Sequence, residues 1–220
     1  MNVPATPYED RRQAGQDLAA LLERFRGTDS IILAIPRGGV VVAYEVARAL
    51  DLELDVIVPR KIGAPGQPEL AIGAVASWGN HDAILDEHSV RLLGVSPDYI
   101  EHEVQSQLAE IERRLRAYRG KSEPPRVEGR SVLLIDDGIA TGYTTRAAGV
   151  ALRNLDAGRI ILAVPVAPPD SLSSIKPYFD EIVCPRTPYP FMAVGYWYRN
   201  FDQVSDDEVV SLLRAARANL

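Results

Sequence analysis

Apolar residues occupy every consecutive position at Ile31 to Ile35, Val132 to Ile135 and Ile160 to Val164. Such short unbroken runs are the pattern of strands buried on both faces. Leu54 to Val58, Ala71 to Ala76, Ala83 to Leu85 and Glu181 to Cys184 read as further strands, with a Trp78-Gly79-Asn80-His81 turn between the second and third of these. Between these runs the apolar positions step by three and four, as on helices. Thr6-Pro7-Tyr8-Glu9 reads as a capping box opening a helix with Leu18, Leu21, Leu22 and Phe25 on its apolar face, ended by Gly27. A second helix runs through Val41, Val46 and Leu50, and Asp86 opens a short one. Ser96-Pro97-Asp98 opens a long one whose stripe is Ile100, Val104, Leu108, Ile111, Leu115 and Tyr118. That narrow stripe covers a sheet face or pairs with a second copy in a homodimer. Further helices run from Ala147 to Leu155, through Leu172 and Ile175, and from the Ser205-Asp206-Asp207-Glu208 capping box through Val209 to Leu213. Strands alternating with helices predict an α/β fold, an open parallel sheet with right-handed crossovers and helices on both faces.

The chain has 220 residues, 46% of them hydrophobic, enough for one domain with a subdomain. We expect a single domain over 1–220, with a helical insertion at 86–120 and a C-terminal segment at 185–220. The formal charge of −6 argues against nonspecific binding of nucleic acid. The apolar runs are too short to span a bilayer, and the first residues, MNVPATPYEDRR, hold no apolar signal core. Cys184 is the single cysteine, so no intrachain disulfide forms. A cytoplasmic protein with a buried, inert thiol is the plain expectation. His81, His88 and His102 show no metal-ligand spacing.

The chemistry concentrates in Ser131 to Thr145, SVLLIDDGIATGYTT. A buried strand ends in two carboxylates, Asp136 and Asp137. A loop of small and hydroxylated residues follows, Gly138, Ile139, Ala140, Thr141, Gly142, Tyr143, Thr144 and Thr145, and a helix starts there. Unpaired N–H groups and the helix dipole favour an anion at such a start. Carboxylates repel a phosphate, so the pair must serve another part of the same ligand. Two vicinal hydroxyls or a magnesium ion would suit them. A phosphate with a diol a few ångströms away describes a ribose 5-phosphate. Pro36-Arg37-Gly38-Gly39, after the first strand, is a second strand–glycine turn–helix start and hence a second anion site. Pro59 to Glu69 is rich in Gly and Pro, carries Arg60 and Lys61, and reads as a mobile loop that orders on binding. Glu69 is a candidate proton carrier. Arg11 and Arg12, in a first helical turn where the dipole does not favour cations, read as solvated, the alternative being that they reach an anionic ligand. Pro185 to Phe201 is dense in aromatics that either stack on a flat base or pack a C-terminal subdomain.

The central segment resembles the signature of type I phosphoribosyltransferases: four apolar residues, two acids, two variable positions, a small residue, then Thr-Gly-x-Thr. The resemblance implies that family's fold, a Rossmann-like open parallel sheet with a small C-terminal hood. It also implies that phosphoribosyl pyrophosphate, Mg²⁺ and a nitrogen nucleophile are the substrates and cofactor, with Asp136 and Asp137 as metal and ribose ligands. The loop at Arg37, Gly38 and Gly39 would hold pyrophosphate, and the family's peptide before the basic residue, here Pro36–Arg37, is often cis. Val58-Pro59-Arg60-Lys61-Ile62-Gly63 is similar to a segment of adenine enzymes and would neutralise the leaving group. Arg186-Thr187-Pro188, Phe191 and the Val194–Tyr198 stretch look like a shortened hypoxanthine-guanine hood, with Phe191, Val194 and Trp197 on the base. Two positions depart from that hood's enzymes. Ala140 replaces an aspartate near the purine's imidazole nitrogens, and Pro185 replaces the lysine that reads a 6-oxo group. The whole arrangement is similar to a bacterial group of phosphoribosyltransferase-like proteins with no assigned base. A sensor that binds phosphoribosyl pyrophosphate and a phosphoribosyl hydrolase remain alternatives.

Overall fold

The computed structural model describes residues 6–78 and 83–218, and only the backbone of Glu69. In chain order the elements are α1 (Arg11–Leu21), β1 (Ile31–Ala34), α2 (Gly38–Leu50), β2 (Glu53–Val56), β3 (Pro59–Ala64), β4 (Gln67–Ala76) and β5 (Ile84–Leu85). There follow α3 (Glu87–Leu92), α4 (Pro97–Arg119), β6 (Ser131–Ile135), α5 (Tyr143–Asn154), β7 (Arg159–Ala163), α6 (Pro169–Ile175), β8 (Glu181–Val183) and α7 (Asp206–Ala218). No helix among the described residues is long and apolar enough to cross a membrane.

Five strands form one sheet in the order β2-β1-β6-β7-β8, all parallel. Every residue of β1 is buried, as is Val132 to Ile135 of β6, which accounts for their unbroken apolar runs. Burying each such side chain contributes about 1.5–3 kcal/mol. Successive crossovers run outward in opposite directions from the β1/β6 pair. Right-handed connection therefore places α2 on one face and α5 on the other. Strand order reverses between β1 and β6, and the loops leaving their carboxyl ends part there into a crevice.

The Gly/Pro-rich stretch at 59–69 is not a loop. It forms β3, the turn at Pro65-Gly66 and the start of β4 in an antiparallel three-stranded sheet, order β3-β4-β5. Gly66 takes the turn's left-handed conformation (φ 71). Ile62 and Ile72 are fully buried in a satellite cluster with Val95, packed by Tyr99, Ile100 and Val104 of α4. Two isoleucines among glycines and prolines gave too weak an alternation to read as a hairpin. The first helix also starts later than expected. Its cap is Asp10, which accepts from the Gln13 N–H (2.8 Å), not Thr6. The Tyr8 backbone is instead paired with Trp197 and Arg199. Residues 79–81 of the expected turn lie outside the described residues.

The α4 stripe packs within the chain, with Ile111, Leu115 and Tyr118 in the main core. Its last turn is anchored by Arg119, whose side chain is fully buried and bonds Asp55 of β2 bidentately (2.8 and 2.9 Å). Trp78 lies over the same guanidinium, 5.0 Å from ring centroid to charge. Removing one partner of a buried pair leaves the other charge unmatched. We therefore expect Arg119→Ala to cost about 3–5 kcal/mol in urea denaturation. Arg116→Ala, which breaks an exposed pair with Glu112, should cost under about 1 kcal/mol.

Candidate functional site at the carboxyl ends of β1 and β6

Four of the helices close their first turn with a side chain: Asp10 on α1, Asp86 on α3, Ser96 on α4 and Ser205 on α7. The two helices that leave the switch point do not. The cap of α2 is Arg37 and that of α5 is Gly142 (φ 81), and neither makes a side-chain capping bond. No side chain therefore takes their first-turn N–H groups, although the Val40 N–H of α2 bonds back to the Arg37 carbonyl (3.1 Å), and both helix dipoles present positive ends at one crevice.

The acidic pair lies between those helix starts and is packed against the first loop. A Cβ on Gly39 would stand 2.9 Å from the Asp136 Cα and 3.0 Å from the Ile135 carbonyl oxygen. One on Gly38 would collide with the Asp137 carboxylate at 1.8 Å. Only glycines let the backbone lie this close. The Pro36–Arg37 peptide is cis.

The two acids are unequal. Asp137 Oδ2 accepts from Arg11 Nε at 2.7 Å, both side chains being largely buried. The Phe201 ring covers that guanidinium at 3.8 Å, and Tyr198, stacked on Phe201 at 5.1 Å, donates its hydroxyl to the Asp137 carbonyl. Arg11 is therefore a site residue and not a solvated one. Asp136 has no cation among the described residues. Its Oδ1 accepts only the Asp137 N–H (2.8 Å). Burial, and then the charge of Asp137, hold its carboxyl well above the ordinary carboxylate range. Burial raises Asp137 as well, against the pull of Arg11.

The remaining residues expected at the site fall into distinct places. Ile139 and Thr145 are buried, while Ala140 and Thr141 are exposed, and the Ala140 carbonyl accepts from the Ser171 hydroxyl. Tyr143 gives its hydroxyl to Asp86 (2.7 Å), and burial together with that carboxylate pushes it up to about 12. Thr144 shares a cavity of about 500 Å³ with Pro36, Arg60 and Lys61. Arg37 is held by the start of α7, 3.0 Å from Asp206 and donating to the Val204 carbonyl (3.3 Å). Asp206 also accepts from Tyr118 of α4 (2.6 Å). Arg60 donates to Gln107 of α4 (2.8 Å). Glu69 sits on β4, its side chain outside the description. In the aromatic segment Phe191 and Trp197 stack on each other (6.2 Å, 23°), and Val194 fills the space beside Gly138 where a Cβ would come within 2.6 Å. Tyr198 and Tyr8 form a small core there, with ring centroids 5.5 Å apart. Sequence reading missed the Tyr198 hydroxyl and Asp206, and left Arg11 open between solvent and an anionic ligand.

The raised Asp136 carboxyl predicts a pH dependence. A carboxyl whose folded value exceeds its unfolded one stabilises the fold fully below the ordinary carboxylate range. That contribution is lost as pH climbs through the raised value. Metal-free protein should therefore lose stability across that window. Asp136→Asn should shrink that loss to the part contributed by Asp137 and be more stable than the parent at neutral pH in urea denaturation.

The pattern of the phosphoribosyl transferase domain matches residues 6–196. The chain is 43% identical over 213 residues to a Mycobacterium tuberculosis H37Rv protein named "Putative phosphoribosyl transferase Rv0571c", and equally to its counterpart MT0597 in strain CDC 1551. The match covers 95% of this chain and 47% of each of theirs, so the chain spans about half the length of these curated relatives. Among solved structures, TT1426 from Thermus thermophilus superposes with a TM-score of 0.78 at 38% identity, covering 94% of this chain and 98% of that one. With an open parallel sheet and a strand-end crevice of this kind, the chain belongs to the phosphoribosyl transferase domain family.

Proposed function

We propose that the crevice transfers a 5-phosphoribosyl group from phosphoribosyl pyrophosphate to a nitrogen nucleophile, releasing pyrophosphate. The observation that carries this reading is the pairing of two helix starts without side-chain caps with one carboxylate between them that makes no ion pair among the described residues. The turn from Gly138 to Thr145 and the start of α5 would take the 5-phosphate. The Arg37–Gly39 turn, Arg60 and Lys61 would take the diphosphate. Asp136 would accept from the ribose hydroxyls, with Asp137 fixed beside it by Arg11.

The donor set fits magnesium. Asp136 and Asp137 offer only oxygen, and among the described residues no three acidic, histidine or cysteine side chains form a metal cluster. Such a site suits an ion held by one or two carboxylates and the substrate's own oxygens. When bound, the ion would neutralise charge gathering on the diphosphate. In the reaction, the bond from ribose C1 to the diphosphate oxygen breaks with both electrons leaving on oxygen. The nitrogen lone pair forms the new bond to C1, and the nitrogen's proton passes to a base or to water. Arg60 and Lys61 stabilise the departing charge, and the Asp136 carboxylate favours the positive charge at C1.

Ala140 and Pro185 bear on the acceptor. Ala140 ends in a methyl group that cannot accept a proton, and Pro185 provides no donor to a 6-oxo group. Phe191 and Trp197 would present a flat face to the base.

Pyrophosphate release, measured with and without a panel of nucleobases, tests the reading. We expect release that depends on magnesium and on an added base, with Asp136→Asn weakening transition-state binding by about 1–3 kcal/mol. Release without any base would assign a hydrolase instead, and none with any base would remove the transferase reading. In the same screen hypoxanthine and guanine should be poor acceptors. Efficient formation of inosine or guanosine monophosphate would show that other residues supply what Ala140 and Pro185 lack.

A further inference from the structure

Arg114, on the long helix α4, belongs to none of the strand-end loops, yet it lines two cavities at once. One, about 500 Å³, it shares with Pro36, Arg60, Lys61 and Thr144. The other, about 420 Å³, it shares with Arg11, Arg37 and Gly38. Its side chain is only 16% exposed. Its Nε donates to Glu110 at 2.8 Å, and among the described residues its two terminal nitrogens donate to nothing. Arg60 is similar, engaging Gln107 through Nε alone, and Lys61 makes no ion pair among the described residues.

The charges around the larger cavity do not balance. Glu110 is shared between Arg114 and Arg113, so it cannot neutralise both. Glu103, the acid on the cavity wall, accepts from the Gln107 amide at 2.7 Å. Burial and then the nearby Arg114 charge lower the pKa of Arg60, and the carboxylates of Glu110 and Glu103 only partly offset them. A helix-surface pair of this spacing is ordinarily solvent-exposed, whereas Arg114 is largely buried. Arg113 fits that description, being 58% exposed on the same carboxylate.

We propose that Arg114 is a diphosphate-binding residue, through which α4 completes from outside the parallel sheet a site shared by Arg37, Arg60 and Lys61. This rests on the transferase reading above. The two terminal nitrogens of its guanidinium, free among the described residues, can donate to phosphate oxygens. The helix thereby sets selectivity for a ligand carrying a diphosphate over one carrying a single phosphate.

Calorimetric titration of the full chain with magnesium pyrophosphate, and separately with ribose 5-phosphate, tests this with Arg114→Gln and Arg113→Gln. Both variants lose an ion pair to Glu110, so loss of that pair alone would affect them alike, and ribose 5-phosphate reports any wider structural loss from the more buried Arg114. We expect Arg114→Gln to bind pyrophosphate about tenfold more weakly. It should still bind ribose 5-phosphate as the parent does, and Arg113→Gln should match the parent for both ligands. Parental pyrophosphate affinity in Arg114→Gln, equal weakening in the two variants, or equal loss of both ligands in Arg114→Gln would overturn the assignment and leave the transferase reading standing. A parent protein that binds neither ligand would overturn both.

Discussion

Two neighbouring carboxylates at the end of a buried strand must be kept from repelling each other and the anions around them. Two contacts bear on that constraint. Gly38 and Gly39 bring the first loop's backbone against the acids, and Arg11 neutralises Asp137, while Asp136 makes no ion pair among the described residues. Phe201 and Tyr198 then secure the arginine and the Asp137 backbone. The N-terminal helix and the C-terminal aromatic segment are therefore both part of the site, though one precedes the sheet and the other follows it. Burying unmatched charge lowers stability. The fold tolerates it because β1 and β6 are fixed by an almost fully buried sheet.

The long helix α4 links that centre to the rest of the molecule. Arg119 ties its last turn to β2, and Tyr118 shares Asp206 with Arg37. Gln107 holds Arg60 on the antiparallel hairpin. A shift of this helix would move three of the cations that surround the crevice, so packing at Arg119 and geometry at the site are coupled through one rigid element. Arg37 is engaged by Asp206 in the free protein. An incoming anion would compete with that carboxylate for the guanidinium, a direct electrostatic exchange.

Much of the architecture was legible because it is local. An unbroken apolar strand, an acidic pair and a Gly/Thr turn lie within fifteen consecutive residues, and the alternation of strands with helices implied parallel pairing. The turn at Pro36 to Gly39 was legible for the same reason. What escaped the sequence depends on distance along the chain. Arg11 and Asp137 are 126 positions apart, and only the folded C-terminal segment shows why the arginine is not in water. The hairpin at 59–76 was hidden because its glycines and prolines outnumber the two isoleucines that anchor it. Thr6 offered a capping pattern, but pairing of the Tyr8 backbone with the C-terminal segment took precedence over a helical turn there. Within the aromatic segment, Tyr198 and Phe201 pack around the acids, and Phe191 and Trp197, stacked on each other, pack against the small core that holds Tyr198.

The central claim is that the crevice between β1 and β6 binds a phosphoribosyl diphosphate with magnesium, the acidic pair facing the ribose. Equilibrium titration of the free protein with phosphoribosyl pyrophosphate, by calorimetry with magnesium and again with a chelator, measures this without requiring the acceptor to be known. The account predicts one-to-one binding that needs magnesium and is weakened in Asp136→Asn while the variant remains folded. Absence of binding under both conditions, or binding indifferent to both magnesium and Asp136, would contradict it.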